Sequence, residues 1–217
     1  MQDIIIYGCG GFGREVLQVL RAINAAQPSW NCVGFLVDAG FETKTTVHGL
    51  PVASQPKALN CTSQTAVVVG IGNPHARKTA VDRLIKLGLT DFPTLIHPRS
   101  WIGDFVELGE GTIVCAGALL TTDIRIGAHV HLNIGSTVGH DTRIGDFSTI
   151  SPGVNISGKV TLGQRVEIGS AASVIPGVDI GDDVTIGAGA AVVKSIPAGC
   201  TAVGVPAKVI RQPSGGS

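Results

Sequence analysis

From Ile96 to Val192 every sixth residue is a branched aliphatic, seventeen in succession without a slip. Four places after each stands a small or β-branched residue, from Ser100, Val106, Thr112 and Ala118 through to Val184, Ala190 and Ile196. A period of six is neither the 3.6 of a helix nor the bare alternation of a strand. It is the signature of a parallel β-helix, in which each hexad supplies one short strand and one corner and three hexads close a triangular coil. The aliphatic and the small residue both point inward, so stacking by eighteen builds ladders of Ile, Leu and Val. Gly follows the aliphatic at nine of the seventeen positions, which suits a corner needing either unusual φ/ψ or close backbone approach.

The pattern ahead of Ile96 is different. Asp3–Tyr7 reads as a buried strand and is followed by Gly8-Cys9-Gly10-Gly11-Phe12-Gly13. Arg14–Ala26 continues as an amphipathic helix with Val16, Leu17, Leu20 and Ile23 on one face. Asn31–Val37 is a second strand ending at Asp38, and Thr65–Gly70 a third. Gly72-Asn73-Pro74 then opens a helix to about Leu87, and Asp91–Leu95 leads to the first hexad. Strand, glycine loop, helix and strand form the front of a Rossmann-like parallel sheet. Such a loop leaves backbone N–H groups where a pyrophosphate can sit. The expected architecture is therefore a small Rossmann-like α/β domain over 1–95, a parallel β-helix with a C-terminal cap over 96–211, and a disordered tail over 212–217.

Composition narrows the function. Lys plus Arg balance Asp plus Glu at 16 each, so no basic surplus draws in a phosphate backbone, and nucleic acid is not an expected partner. No stretch approaches a membrane span and no signal peptide is seen. Five scattered cysteines with no CxxC suit free thiols in a reducing cytoplasm.

Chemistry-bearing residues cluster at one place in the repeat, Asn133 and Gly139-His140-Asp141. Val138 points in, which places His140 and Asp141 at a corner outside the prism. A carboxylate beside a histidine can orient the ring and support the imidazolium formed when it takes a proton. One coil above His140, eighteen residues on, is Gly158, whose N–H could donate to an oxyanion. Base and donor on successive coils make a workable acyl-transfer site. His129 and His131 raise the question of zinc, but neither a His-x₃₋₅-His spacing nor a shared corner is present, and no metal is expected. Cys115 falls one coil below Asn133 with no histidine beside it by spacing, which favours direct attack over a covalent enzyme intermediate.

With these residues in place, the chain resembles the sugar O-/N-acyltransferases of the sialic-acid and bacillosamine acetyltransferase type. The resemblance rests on IIIYGCGGFGREV, FLVDAG, VGIGNP, NIGSTVGHDTRIGD and the closing VGVPAKVI, and covers about residues 2–211. It implies a left-handed β-helix, a homotrimer, and acetyl-CoA lying between neighbouring prisms. It also implies a nucleotide-linked aminosugar held by the first domain, N-acetylation being favoured over O-acetylation. On this sequence it makes His140 the base, Asp141 its partner, Asn133 an orienting residue and Gly158 the oxyanion donor. Gly169, Ser170, Gly187, Ala188 and Lys208 fall at the coenzyme. Gly8, Gly10, Gly11, Gly13, Asp38, Gly72 and Asn73 fall at the nucleotide sugar. Two departures touch the sugar contacts: Thr149 stands where some relatives carry a second histidine, and Phe12 where some carry a histidine in the glycine loop.

Three rivals remain. An acyl-carrier-protein-dependent sugar acyltransferase shares a His-Asp pair within hexads, but such enzymes lack a glycine-loop domain in front. A nicotinamide dehydrogenase would use Asp38 on a ribose, but the sheet is small and no further domain would hold a hydride acceptor. A non-catalytic nucleotide-sugar scaffold would keep the fold without turnover.

Overall fold

The computed structural model describes residues 1–41 and 44–212, and residues 213–217 of the expected tail lie outside the described set. The chain forms two compact units, Met1–Pro98 and Arg99–Ser217.

In the first unit, β1 (Gln2–Tyr7), β2 (Trp30–Leu36), β3 (Thr46–Val47), β4 (Leu50–Ala53) and β5 (Ala66–Val69) form one sheet in the order β3-β4-β2-β1-β5. All neighbours run parallel except the β3–β4 hairpin. The neighbouring strands β1 and β5 are buried along Ile4–Tyr7 and Ala66–Val69, which explains their unbroken apolar runs. Helix α1 (Gly11–Ala26) buries Gly13, Val16, Leu17, Val19 and Leu20, a stripe at helical spacing. It begins inside the glycine loop, three residues before the apolar periodicity indicates. Helix α2 (Pro74–Lys86) has Pro at its first position and Asn73 as N-cap, with Oδ1 accepting from Ala76 N at 3.0 Å. The hairpin Thr46–Ala53 and the 3₁₀ turn Pro56–Leu59 are additions to the expected elements.

The second unit is a triangular prism of two- and three-residue strands. Partners lie eighteen residues apart on all three faces, as in Leu120↔Val138, Ile126↔Ile144 and Leu132↔Ile150. Inside, the aliphatics and the residues four places on form one core from Val114 to Ala202. Inward Thr112, Thr142 and Ser148 reach corner carbonyls of the next coil, at 2.9, 3.2 and 3.1 Å. At these three positions small hydroxyls replace apolar groups with their hydrogen bonds met, whereas the buried Oγ of Ser136, at the same place in its hexad, has no partner. At the start of the repeat the pattern overstates burial: Ile96 is 41% exposed and Ile102 and Leu108 are half-buried. A ladder is fully covered only where coils lie on both sides.

The glycine after each aliphatic serves close approach rather than unusual dihedrals. A Cβ on Gly103 would stand 1.9 Å from Thr121 O, and one on Gly169 2.5 Å from Ala188 N. The left-handed backbone falls two residues later, at fifteen successive corners from Phe105 to Gly189, and only six of these are glycine. None is β-branched, which is the class that this conformation excludes most strongly. After the last hexad strand, Thr201–Val203 joins the third face and pairs antiparallel with Lys208–Arg211. Among the described residues no helix is long and apolar enough to cross a membrane.

Candidate active site

The prism brings His140, Asp141 and Gly158 together at one corner. Asp141 occupies the left-handed position (φ 58°), and its Oδ2 lies 2.8 Å from His140 Nδ1. Asp tolerates this backbone better than most residues, so the kink that turns the corner also aligns the carboxylate with the ring. Both side chains remain more than half exposed. The far side of the imidazole rests on Gly158: a Cβ there would be 2.6 Å from Nε2 and 2.7 Å from Cε1. Glycine at 158 is thus required for the ring to lie where it does. The coils are locked at this level by Lys159 N donating to His140 O at 2.7 Å.

The backbone N–H of Gly158 donates to no partner among the described residues. At the same hexad position, Ala128 N and Gln164 N donate to Asp146 Oδ1 and Asp182 Oδ1 of the next coil, at 2.8 and 2.9 Å. Above Gly158 stands Pro176, which has no acceptor side chain. The corner therefore holds a base with a carboxylate partner and an N–H left open above it, the two components that acyl transfer to a nucleophile needs.

The other expected site residues of the prism lie at a different corner. Asn133, Gly169 and Gly187 form one column, each following a strand of the third face, with Ser170 and Ala188 beside it. His140 and Gly158 follow strands of the first face. A single prism does not bring the two columns together. Asn133 is buried, and its amide donates to Ile150 O at 2.9 Å. Thr149 is buried on the third face, paired with His131 and Glu167. Gly187 packs under Val203, while Ser170, Ala188 and Lys208 are exposed. His129 and His131 are both buried, the former stacked on Phe147 at 5.1 Å.

In the first unit a hollow of about 600 Å³ opens beside the glycine loop, lined by Tyr7, Gly8, Cys9, Gly10, Asp38 and residues of β5–α2. The glycines divide their duties. A Cβ on Gly13 would stand 2.0 Å from Gly8 O, so this residue sets the approach of helix to strand, whereas Gly10, Gly11 and Gly72 face open space. Asp38 accepts from the Tyr7 hydroxyl at 2.5 Å and pairs with Arg83 through the same oxygen. Burial, then the Asp38 carboxylate, hold the Tyr7 phenol well above its ordinary range, so it stays a donor. Tyr7, Phe41, Thr79 and Arg83 escaped the sequence reading because they come from three separate segments. The only signal was Ala76, Thr79, Ala80 and Arg83 at helical spacing along α2.

A glycine-loop domain joined to a prism of hexads defines a class of two-domain transferases. Residues 3–84 match the PglD N-terminal domain and residues 159–194 the bacterial transferase hexapeptide repeats, and the prism is of the left-handed type. The chain is 32% identical to GDP-perosamine N-acetyltransferase of Escherichia coli O157:H7 over 161 residues, 70% of this chain and 69% of that one. A histidine variant of perosamine N-acetyltransferase from Caulobacter crescentus, solved with CoA and GDP-perosamine, superposes with a TM-score of 0.88 at 31% identity, covering 98% of both chains. The acetyltransferase domain of PglB from Neisseria gonorrhoeae FA1090 gives a TM-score of 0.86 at 28% identity, over 97% of this chain and all of that one. The chain belongs to this family of hexapeptide-repeat sugar N-acetyltransferases.

Proposed function

We propose that the protein transfers the acetyl group of acetyl-CoA to the amine of a nucleotide-activated aminosugar. The observation that carries this reading is the His140–Asp141 pair set against Gly158, whose N–H, unlike those of Ala128 and Gln164, meets no carboxylate of the next coil. His140 Nε2 removes a proton from the amine as its lone pair attacks the thioester carbonyl, and Asp141 steadies the imidazolium. Gly158 N–H stabilises the tetrahedral oxygen. Collapse expels the CoA thiolate, which takes the proton back from His140, leaving amide and free CoA. General-base help contributes about 10²–10⁴ in rate and the oxyanion donor about 10²–10³.

Because the two columns of the prism occupy different corners, the reading includes a homotrimer. His140 of one copy then faces the column of Asn133, Gly169, Ser170, Gly187 and Ala188 of a neighbour across the coenzyme, with Lys208 near its end and Thr149 on the acceptor side. The first unit holds the nucleotide through Gly8–Gly13, Asp38, Gly72 and Asn73. The protein is placed in the cytoplasm, where acetyl-CoA and nucleotide sugars are made.

The test is CoA release from acetyl-CoA with a panel of UDP-, GDP- and dTDP-linked aminosugars, repeated with His140→Ala. Turnover that disappears in the variant while the trimer persists supports the reading. Absence of turnover with every acetyl or acyl donor returns the chain to a nucleotide-sugar-binding scaffold.

A further inference from the structure

Three peptides at corners of the prism share one construction. Gly127–Ala128, Ser157–Gly158 and Gly163–Gln164 each offer their carbonyl to a hydroxyl buried inside the prism. Thr112 donates to Gly127 O at 2.9 Å, Thr142 to Ser157 O at 3.2 Å and Ser148 to Gly163 O at 3.1 Å. A trans peptide points its N–H opposite to its C=O, so a carbonyl held from within aims the N–H outward. In two of the three that N–H meets a carboxylate oxygen of the next coil, Asp146 Oδ1 at 2.8 Å from Ala128 N and Asp182 Oδ1 at 2.9 Å from Gln164 N. In the third the residue one coil on is Pro176, which has no oxygen in its side chain.

We propose that Thr142 is a positioning residue for the oxyanion donor, its buried hydroxyl fixing and polarising the Ser157–Gly158 peptide from inside the prism. This role rests on the acetyl-transfer reading of the corner and adds to it a residue that touches no substrate. The two matched peptides display what the construction holds, an anionic oxygen at hydrogen-bond distance, and the thioester oxygen becomes such an oxygen in the transition state. A hydrogen bond accepted by the carbonyl draws charge through the amide and strengthens donation by its N–H. Rotation of the peptide would swing that N–H away from the thioester, and glycine at 158 resists rotation least of all residues. The hydroxyl supplies the restraint that a side chain at 158 cannot, since His140 occupies that space. Thr142 Oγ1 also accepts from Val160 N at 3.5 Å, while its other acceptor, His140 O at 3.5 Å, is already met by Lys159 N at 2.7 Å. Ser157 O is thus its principal acceptor. Adjacent in the chain, Asp141 and Thr142 serve the two halves of the site, one steadying the base and the other the donor.

Steady-state kinetics with acetyl-CoA and the aminosugar that the wild type accepts compares Thr142→Val and Thr142→Ser with Thr112→Val. Val keeps the shape of Thr and deletes the hydroxyl, but at residue 112 the affected N–H already serves Asp146. Thr142→Val is expected to lower kcat about tenfold, the worth of one hydrogen bond. KM for acetyl-CoA and the pH profile of kcat stay unchanged, because the donor acts in the transition state and the base is untouched. Thr142→Ser restores most of the loss. Thr112→Val is expected to lower the thermal midpoint as Thr142→Val does while keeping the wild-type kcat. If Thr142→Val fails to fold, Thr142→Ala is read in its place. Unchanged kcat on loss of the Thr142 hydroxyl, an equal fall in Thr112→Val, or no rescue by Ser overturns the role of Thr142, and inactivity of His140→Ala then keeps the broader reading. A wild type that acetylates no aminosugar sinks both.

Discussion

The imidazole of His140 fills the space that a side chain on residue 158 would need, with Nε2 2.6 Å from the position of that absent Cβ. Base and glycine are therefore one device. Gly158→Ala is expected to push the ring aside and lower kcat about 10²-fold, with little change in the thermal midpoint because the clash falls on an exposed ring. Steady-state kinetics beside a melting curve checks this; an unaltered kcat removes Gly158 from the site.

His140→Ala leaves the corner backbone in place and takes away the proton acceptor. A fall in kcat of about 10²–10⁴ with unchanged far-UV dichroism is expected. Retention of more than a tenth of wild-type kcat means that the proton leaves by another route.

Asp141 has two duties that substitution can separate. Asp141→Asn keeps a residue suited to φ 58° and removes the charge, so it is expected to reduce kcat about tenfold without loss of stability. Asp141→Val puts a β-branched residue at a left-handed corner and is expected to cost about 1–3 kcal/mol in urea unfolding as well. If Asn and Val behave alike in both measurements, the two duties are not separable.

Gly13→Ala tests the first unit. The added Cβ would meet Gly8 O at 2.0 Å, a backbone contact that cannot swing away. A loss of about 1–3 kcal/mol in chemical denaturation is expected, together with weaker nucleotide binding.

Burial raises the Cys32 thiol from 9.0 to about 11. Between those values the unfolded chain has lost this proton and the folded one keeps it, so folding stability declines as pH rises from 9 towards 11. Below pH 9 the contribution is fully present. Thermal midpoints from pH 8 to 11.5 should fall less steeply in Cys32→Ala than in wild type; parallel curves refute the assignment.

How much of this was readable beforehand depends on how local the signal is. The inward ladders and the stacking of His140 beneath Gly158 follow from counting by six and eighteen, since the period is geometric. The left-handed corners were hidden because residues as varied as Phe105, His129, Lys159 and Ala171 occupy them. The hairpin at Thr46–Ala53 was missed because its strands are short, partly exposed and contain Pro51. Tyr7, Arg83 and Asp38 meet only when three strands and a helix have assembled, so spacing along the chain carried no trace of their contact. Asn133 looked adjacent to His140 seven residues away, yet one strand and one bend place it on another edge of the triangle.

Because each storey of the prism carries its own three kinks, the column behaves as a stack of interchangeable floors. Excising one whole floor, residues 178–195, should leave the ladders above and below able to rejoin. Deleting a single residue from that stretch would instead turn the later inward side chains towards solvent. Length is therefore free to vary in steps of eighteen, and the reach of the wall along which the coenzyme is proposed to lie can be lengthened or shortened without redesigning the corner that does the chemistry.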